Sequence, residues 1–261
     1  MKRILLLLTI PALSACTQTT VAPCSPEWAE WVEQKVNTGD GQGHGPDLGS
    51  GEWKSVVEFR LGIRGDASVP AHDTPAWCEH IDALVRKGPS FSCDGAQPGS
   101  TEEMICNDAG LAAQDRKLAE IYQQAQAKAV NEQPPMLKAE QRGWLKGRNE
   151  CWKNESPRAC VQEQYQQRAA ELQARYRLIP GNGPFRFVCN DNPANEVVVT
   201  FFDTQPDTLI AEYGDSVSLM YSQPSASGSR YEGRNESFWE HQGEATIRWG
   251  YNAPEMRCKV K

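Results

Sequence analysis

The spacing of hydrophobic positions changes once along the chain, near residue 180. Before that point apolar residues recur every three or four positions, the period of an amphipathic helix, and after it they alternate with polar residues, the period of a strand. The stretch from Pro180 to Gly183 is rich in turn-forming residues and is predicted to be a linker. The pattern therefore predicts a multidomain α+β chain, with helices first and strands last.

Three helices are predicted in the middle segment, residues 89–178. Pro134 and Pro135 separate the first helix from the second, and Ser156-Pro157 opens the third. The residues predicted to share one face are Leu111, Asp115, Leu118 and Tyr122 on the first helix and Leu137, Gln141, Trp144, Leu145 and Arg148 on the second. On the third helix the residues predicted to point inward are Val161, Tyr165, Arg168, Leu172 and Tyr176. Asp115 and Arg148 carry opposite charges on two of these faces, so we expect a structural pair between helices.

The segment before these helices, residues 16–88, is rich in Gly, Pro and Trp. Ser25-Pro26-Glu27 predicts the start of one helix, and Thr74-Pro75 predicts the start of another. The glycine-rich stretch 39–51 between them is predicted to be a loop. Three scattered histidines are interpreted as solvated or structural, not as ligands: His44, His72 and His80.

The last segment, residues 184–261, is predicted to be an antiparallel barrel or sandwich, because short alternating runs are separated by turn signals. The predicted strands are 185–189, 197–202, 208–213, 216–222, 229–233, 236–241, 244–250 and 256–260.

The first 15 residues are predicted to be a signal peptide. Lys2 and Arg3 precede an apolar run too short to span a bilayer, which needs about 20 residues. The ending L-S-A-C resembles the lipobox of bacterial lipoproteins, which implies cleavage before Cys16 and lipid on that cysteine. Thr17 follows instead of Asp, and by resemblance to Gram-negative lipoproteins this favours the outer membrane. The expected orientation is toward the periplasm, and the sequence leaves the cell exterior open as the alternative.

Eight cysteines remain after Cys16, an even number that predicts disulfides in an oxidising compartment. The sequence does not fix their pairing, and pairing within segments is the simplest choice. Those pairs are Cys24–Cys78, Cys93–Cys106, Cys151–Cys160 and Cys189–Cys258. No C-x-x-C spacing is present and histidines are few, so neither a zinc cluster nor another cofactor is expected.

The formal net charge of −7 argues against nucleic acid as a partner and favours a basic one. No G-x-S-x-G or H-E-x-x-H motif is present, so an enzyme such as a peptidoglycan hydrolase is the least favoured interpretation. The sequence does not indicate an oligomeric state.

The middle segment resembles the LprI-type domain. The pattern runs from S-F-S-C through I-C-x-x-x-x-L-x-x-x-D-x-x-L-x-x-x-Y to A-E-Q-R-G-W-L-K-G-R-N-E-C and C-x-x-x-x-Y. The resemblance implies a helical module stapled by Cys93, Cys106, Cys151 and Cys160. Some members of this family are described as lysozyme inhibitors, and others have no known role.

The last segment resembles the membrane-bound inhibitor of C-type lysozyme. Residues 225–231 read S-A-S-G-S-R-Y, residues 238–245 read F-W-E-H-Q-G-E-A, and F-x-C and C-x-V motifs surround the two terminal cysteines. The resemblance implies an eight-stranded antiparallel barrel that blocks animal-type lysozymes. The lysozyme-binding residues it implies are Ser225, Ser227, Gly228, Tyr231, Trp239 and His241.

The chemistry of these residues suits the cleft of C-type lysozyme, which holds two carboxyl groups. The Ser227 hydroxyl can donate to a carboxylate, and Gly228 lets the backbone turn tightly. Tyr231 and Trp239 either brace the loops or belong to the core. His241 stands where the family has a lysine, so its imidazolium would replace the longer ammonium.

The leading functional prediction is an envelope-anchored lipoprotein that inhibits C-type lysozyme and thereby protects peptidoglycan. The alternative is an envelope structural or assembly lipoprotein that uses the barrel and the helical module for protein binding without inhibition. Neither interpretation assigns a role to residues 17–88.

Overall fold

The structure of the protein, a computed structural model, describes residues 21–39, 44–133 and 135–261. Within these ranges seven α-helices precede eight β-strands. The helices are α1 (Pro26–Val36), α2 (Gly51–Leu61), α3 (Pro75–Arg86), α4 (Thr101–Asn107), α5 (Ala109–Lys128), α6 (Leu137–Asn149) and α7 (Pro157–Arg175). The strands are β1 (Gly181–Cys189), β2 (Glu196–Phe202), β3 (Thr208–Tyr213), β4 (Ser216–Gln223), β5 (Ser229–Glu232), β6 (Glu236–His241), β7 (Glu244–Trp249) and β8 (Glu255–Val260).

The predicted signal peptide, 1–15, and Cys16 lie outside the described residues. None of the helices in the described ranges combines the length and the apolar character needed to cross a membrane.

Helices α1, α2 and α3 form an N-terminal lobe. Helix α1 starts where predicted, with Ser25 Oγ accepting a hydrogen bond from the Trp28 N–H at 3.1 Å. Helix α3 also starts as predicted, at Pro75. Helix α2 was not predicted: it begins at Gly51, the last residue of the expected loop, and Ser50 Oγ caps it.

Three tryptophans form the centre of this lobe, with indole rings edge to face at 6.2–6.3 Å between centroids. Each indole N–H donates to a carboxylate: Trp28 to Asp82, Trp53 to Glu33 and Trp77 to Glu58, at 2.8–3.0 Å. His72 shares Glu58 through a 2.7 Å contact, which supports a structural role for that histidine. The buried polar atoms of the lobe are thereby satisfied, as a stable core requires.

The three helices predicted for the middle segment are present as α5, α6 and α7. Helix α4 precedes them and was not predicted, because seven residues are too few to display a helical period. The lobe helices α1, α2 and α3 all contact α5, so the lobe and the middle segment pack on a shared helix.

The predicted contact between Asp115 and Arg148 is confirmed, at 3.8 Å between Asp115 Oδ1 and Arg148 Nη1. The Tyr165 hydroxyl lies between them, donating to Asp115 at 2.8 Å and accepting from Arg148 at 2.8 Å. Ser90 donates both its N–H and its hydroxyl to the other Asp115 oxygen at 2.6 Å. Burial raises the pKa of Tyr165 far above its ordinary value, so its hydroxyl remains protonated.

The eight strands close into an antiparallel barrel in which neighbours in sequence are neighbours in the sheet, and β1 pairs with β8. The predicted strands are all present, and the alternative of a sandwich is excluded. The predicted linker was wrong in one respect, because residues 181–183 already belong to β1. Gly181 pairs with Phe202, and a Cβ at Gly181 would lie 2.6 Å from the Thr200 methyl group, so glycine permits this close approach.

All eight cysteines of the described chain pair within segments, as predicted. The bonds are Cys24–Cys78, Cys93–Cys106, Cys151–Cys160 and Cys189–Cys258.

Helix α7 packs against the side of the barrel at β3 and β4. Ala174 of the helix is buried with Phe202 and Ile210 of the barrel in one apolar cluster. The Tyr221 hydroxyl on β4 donates to the Gln167 carbonyl oxygen on α7 at 3.3 Å. Burial raises the pKa of Tyr221 well above its ordinary value. The helical part and the barrel therefore share a packed seam.

Candidate functional site

Two connections lie side by side at one end of the barrel. We call residues 224–228, which join β4 to β5, the Ser227 loop, and residues 241–244, which turn from β6 into β7, the His241 loop. Strands β5 and β6 are paired, with Ser229 opposite Glu240, so the two loops are neighbours. Every residue of the Ser227 loop is exposed.

The backbone of the Ser227 loop is held by two donors on one oxygen. The Trp239 indole N–H and the Ser225 hydroxyl both donate to the Ser227 carbonyl oxygen, at 3.0 and 2.7 Å. The Ser227 hydroxyl itself has no partner among the described residues. The loop is thus fixed through its main chain, while its hydroxyl is available to an outside acceptor.

Gly228 sets how closely the two loops approach. Its φ of +66° lies in the left-handed region, and a Cβ there would lie 2.1 Å from the Glu240 carbonyl oxygen and 3.2 Å from His241 Cβ. Only glycine combines that backbone conformation with that contact. The packing of the Ser227 loop on the end of β6 therefore depends on Gly228.

The two aromatic residues implied by the resemblance lie on opposite faces of the barrel wall. Tyr231 is 9% exposed and stacks in the barrel core with Phe201 and Phe238, at 5.7 and 6.5 Å between centroids. Burial, with a smaller effect from Asp207, raises the pKa of the Tyr231 hydroxyl. Trp239 is 48% exposed on the outer face and braces the Ser227 loop. Tyr231 thus belongs to the core and Trp239 is a brace.

His241 is exposed where β6 ends at a tight turn. Gln242 and Gly243 both have positive φ, 54° and 83°, as a two-residue hairpin turn requires. The Glu240 carboxylate closes the turn by accepting from the Gly243 N–H at 2.8 Å, a contact that the sequence did not reveal. Glu244 is paired with His241 across the turn, and Lys259 Nζ lies 3.9 Å from the Glu244 carboxylate.

This arrangement can offer an exposed hydroxyl and an imidazole to a partner's acidic groups. No group of three or more His, Cys, Asp or Glu side chains suited to a metal ion occurs among the residues that the structure describes. Neither loop brings a nucleophile together with a general base of the kind that hydrolases use.

The described chain is a disulfide-stapled helical body joined to a barrel that carries a braced, exposed pair of loops at one end. Comparison with known families specifies the class of each module. Residues 187–256 match the family model described as membrane-bound lysozyme-inhibitor of c-type lysozyme, and residues 93–172 match the one described as lysozyme inhibitor LprI. Two separate parts of the chain thus match models of lysozyme-inhibitor families, which favours a role other than catalysis.

Curated relatives include the proteins named Lipoprotein LprI of Mycobacterium tuberculosis and Mycobacterium bovis. Each is 29% identical over 211 residues, which are 80% of this chain and 98% of the relative. No solved structure gives a match to the chain.

Proposed function

We propose that this protein is an envelope-anchored lipoprotein that inhibits C-type lysozyme by inserting the Ser227 loop and the His241 loop into its active-site cleft. The bacterial peptidoglycan would thereby be protected. The proposal rests above all on the adjacent placement of the two loops, with the Ser227 main chain braced by Trp239 and the Ser227 hydroxyl without a partner in the part of the chain that the structure describes.

The chemistry of the cleft explains why a hydroxyl at the tip of a narrow loop suits this role. C-type lysozyme cuts between a protonated carboxyl group and an ionised one. An inhibitor that excludes water from the cleft must compensate the ionised group, because a buried charge without a partner is costly. The Ser227 hydroxyl can donate to that carboxylate, and a hydrogen bond to a charged group contributes about 1.5–3 kcal/mol.

Net charge supports the same partner. Residues 184–261 contain eleven Asp and Glu against seven Lys and Arg, so this segment is acidic. Lysozymes of this type are basic, and opposite net charges accelerate encounter in a salt-dependent way.

A protection assay tests the proposal. Purified residues 17–261 are mixed with hen-type lysozyme and labelled cell wall, and the release of label is followed over time. We expect protection that rises with protein concentration and saturates. No effect would favour the structural or assembly alternative, and faster release would indicate an enzyme.

We place the protein at the outer membrane, facing the periplasm, through lipid on Cys16. The lipobox-like ending L-S-A-C and the following Thr17 support this placement. Membrane fractionation tests the lipid anchor. The wild-type chain should sediment with membranes, and a Cys16→Ala variant should lose that association. A Cys16→Ala chain that still sediments after a high-salt wash would contradict lipid anchoring.

The His241 loop predicts a pH-dependent affinity. Only the protonated form of a histidine side chain attracts a carboxylate. We expect the dissociation constant for lysozyme to decrease as pH falls from 8 toward 6, and this extra decrease to vanish in His241→Ala. Because the lysozyme carboxyl groups also titrate, the comparison is between variants at each pH, measured by titration calorimetry.

His80→Ala is the matched control for the loss of a histidine, since His80 lies on α3 in the N-terminal lobe. This variant should keep the pH dependence of the wild type. An identical pH dependence in His241→Ala and the wild type would show that His241 does not bind as imidazolium.

A further inference from the structure

A surface groove follows the seam between α7 and the barrel, with a cavity volume of about 330 Å³. It is bounded on one side by the helix and on the other by β4 and the β2–β3 connection. Its lining residues are Glu163, Gln166 and Gln167 on the helix and Gln205, Pro206, Tyr221, Ser222 and Gln223 on the barrel.

The two sides of this groove are held at a fixed separation. The Tyr221 hydroxyl bonds to the Gln167 carbonyl oxygen across it, and the cluster of Ala174, Phe202 and Ile210 packs the seam further along α7. The first half of α7 therefore has a defined position relative to the Ser227 loop.

The loops alone are too small for a stable protein complex. The Ser227 loop and the His241 loop together comprise nine residues. A specific protein interface of standard size uses about 20–30 residues a side and buries about 800 Å² on each partner. A lysozyme molecule seated on the loops must therefore also cover surface next to them.

The groove provides that adjoining surface on the side of β4. Gln223 ends β4, lines the groove and directly precedes the Ser227 loop. Ser227 lies four positions further along the chain, a span of at most about 14 Å. A circular patch of about 800 Å² has a radius of about 16 Å. The exposed Glu163 side chain lies on the opposite wall and carries the charge that a basic partner attracts.

We infer that the first half of α7, through Glu163 and Gln166, forms a second contact for the same lysozyme molecule that the barrel loops engage. The helical module and the barrel then act as one composite interface, with the seam groove between their two contact surfaces. This inference rests on the proposed function, because it assigns the helix to the same complex.

The test compares variants on the groove with matched variants in the N-terminal lobe, all in the lipid-free chain 17–261. Glu163→Lys is paired with Glu79→Lys, an equal charge change at an exposed position on α3. Gln166→Trp is paired with Gln34→Trp, at an exposed position on α1, and neither substitution changes the charge. Dissociation constants for hen-type lysozyme are measured by surface plasmon resonance at low and high salt.

We expect each groove variant to weaken binding about tenfold, and each lobe variant to change it less than twofold at high salt. Groove variants that bind like their lobe partners would overturn the inference, while continued inhibition by the wild type would leave the proposed function intact. A wild-type chain that does not inhibit lysozyme would overturn the proposed function itself, and the inference with it.

Discussion

Gly228→Ala is expected to weaken lysozyme inhibition about a hundredfold. The added Cβ would lie 2.1 Å from the Glu240 carbonyl oxygen, so the Ser227 loop must move away from β6. That movement separates the Ser227 carbonyl from the Trp239 indole that braces it. The measurement is the inhibition constant in the protection assay.

Gly214→Ala is the control for Gly228→Ala. It separates the effect of a displaced Ser227 loop from the effect of backbone strain alone. Gly214 also has a positive φ, +57°, but a Cβ there has nothing within 4 Å. It connects β3 to β4, at the opposite end of β4 from the Ser227 loop. Gly214→Ala should lose about 1 kcal/mol of stability from the left-handed backbone alone, and Gly228→Ala should lose more because it adds the contact with Glu240. Equal inhibition by the two variants would mean that the Ser227 loop is not the contact.

Asp115→Ala is expected to lower the free energy of unfolding by about 3 kcal/mol, because it leaves the buried Tyr165 hydroxyl and the Ser90 donors without their acceptor. Arg148, which is only 3% exposed, then keeps only the partly exposed Glu102 carboxylate, at 3.5 Å, as its ion-pair partner among the described residues. Urea unfolding followed by far-ultraviolet circular dichroism measures the change.

Glu120→Ala is the control for this stability effect. Glu120 lies on the same helix, α5, and its side chain is exposed. Removing an exposed carboxylate usually changes stability by less than about 0.5 kcal/mol. A loss below about 1 kcal/mol in Asp115→Ala would show that the buried network contributes little.

The barrel was the most predictable part of the fold. Alternation in the last segment marks most of the strands, because they bury one face and expose the other. Strand β3 is the exception: its first four residues, 208–211, are all buried, because α7 packs against its outer face. The same rule separates Trp239 from the core: Phe238 is adjacent in the strand and fully buried, so Trp239 must face outward. The sequence therefore contained the information to choose between brace and core for that residue.

Helix α2 was missed although its signals were present. Trp53, Val57 and Leu61 have helical spacing, and Ser50 is a suitable cap, but the preceding glycine-rich stretch dominated the prediction. The seam is a different case, because the contact between Tyr221 and Gln167 joins residues 54 positions apart. Periodicity reports only which face of an element is buried, and not which distant element covers it.

The disulfide pattern has a consequence for how the chain matures. In each of the four bonds, a cysteine is joined to the next one along the chain. When a protein is exported amino end first, its cysteines emerge in sequence order. Each of these cysteines therefore meets its native partner before the cysteines of the following pair emerge. An oxidase that joins newly exported thiols in order of appearance produces the complete native set, with no later reshuffling by an isomerase.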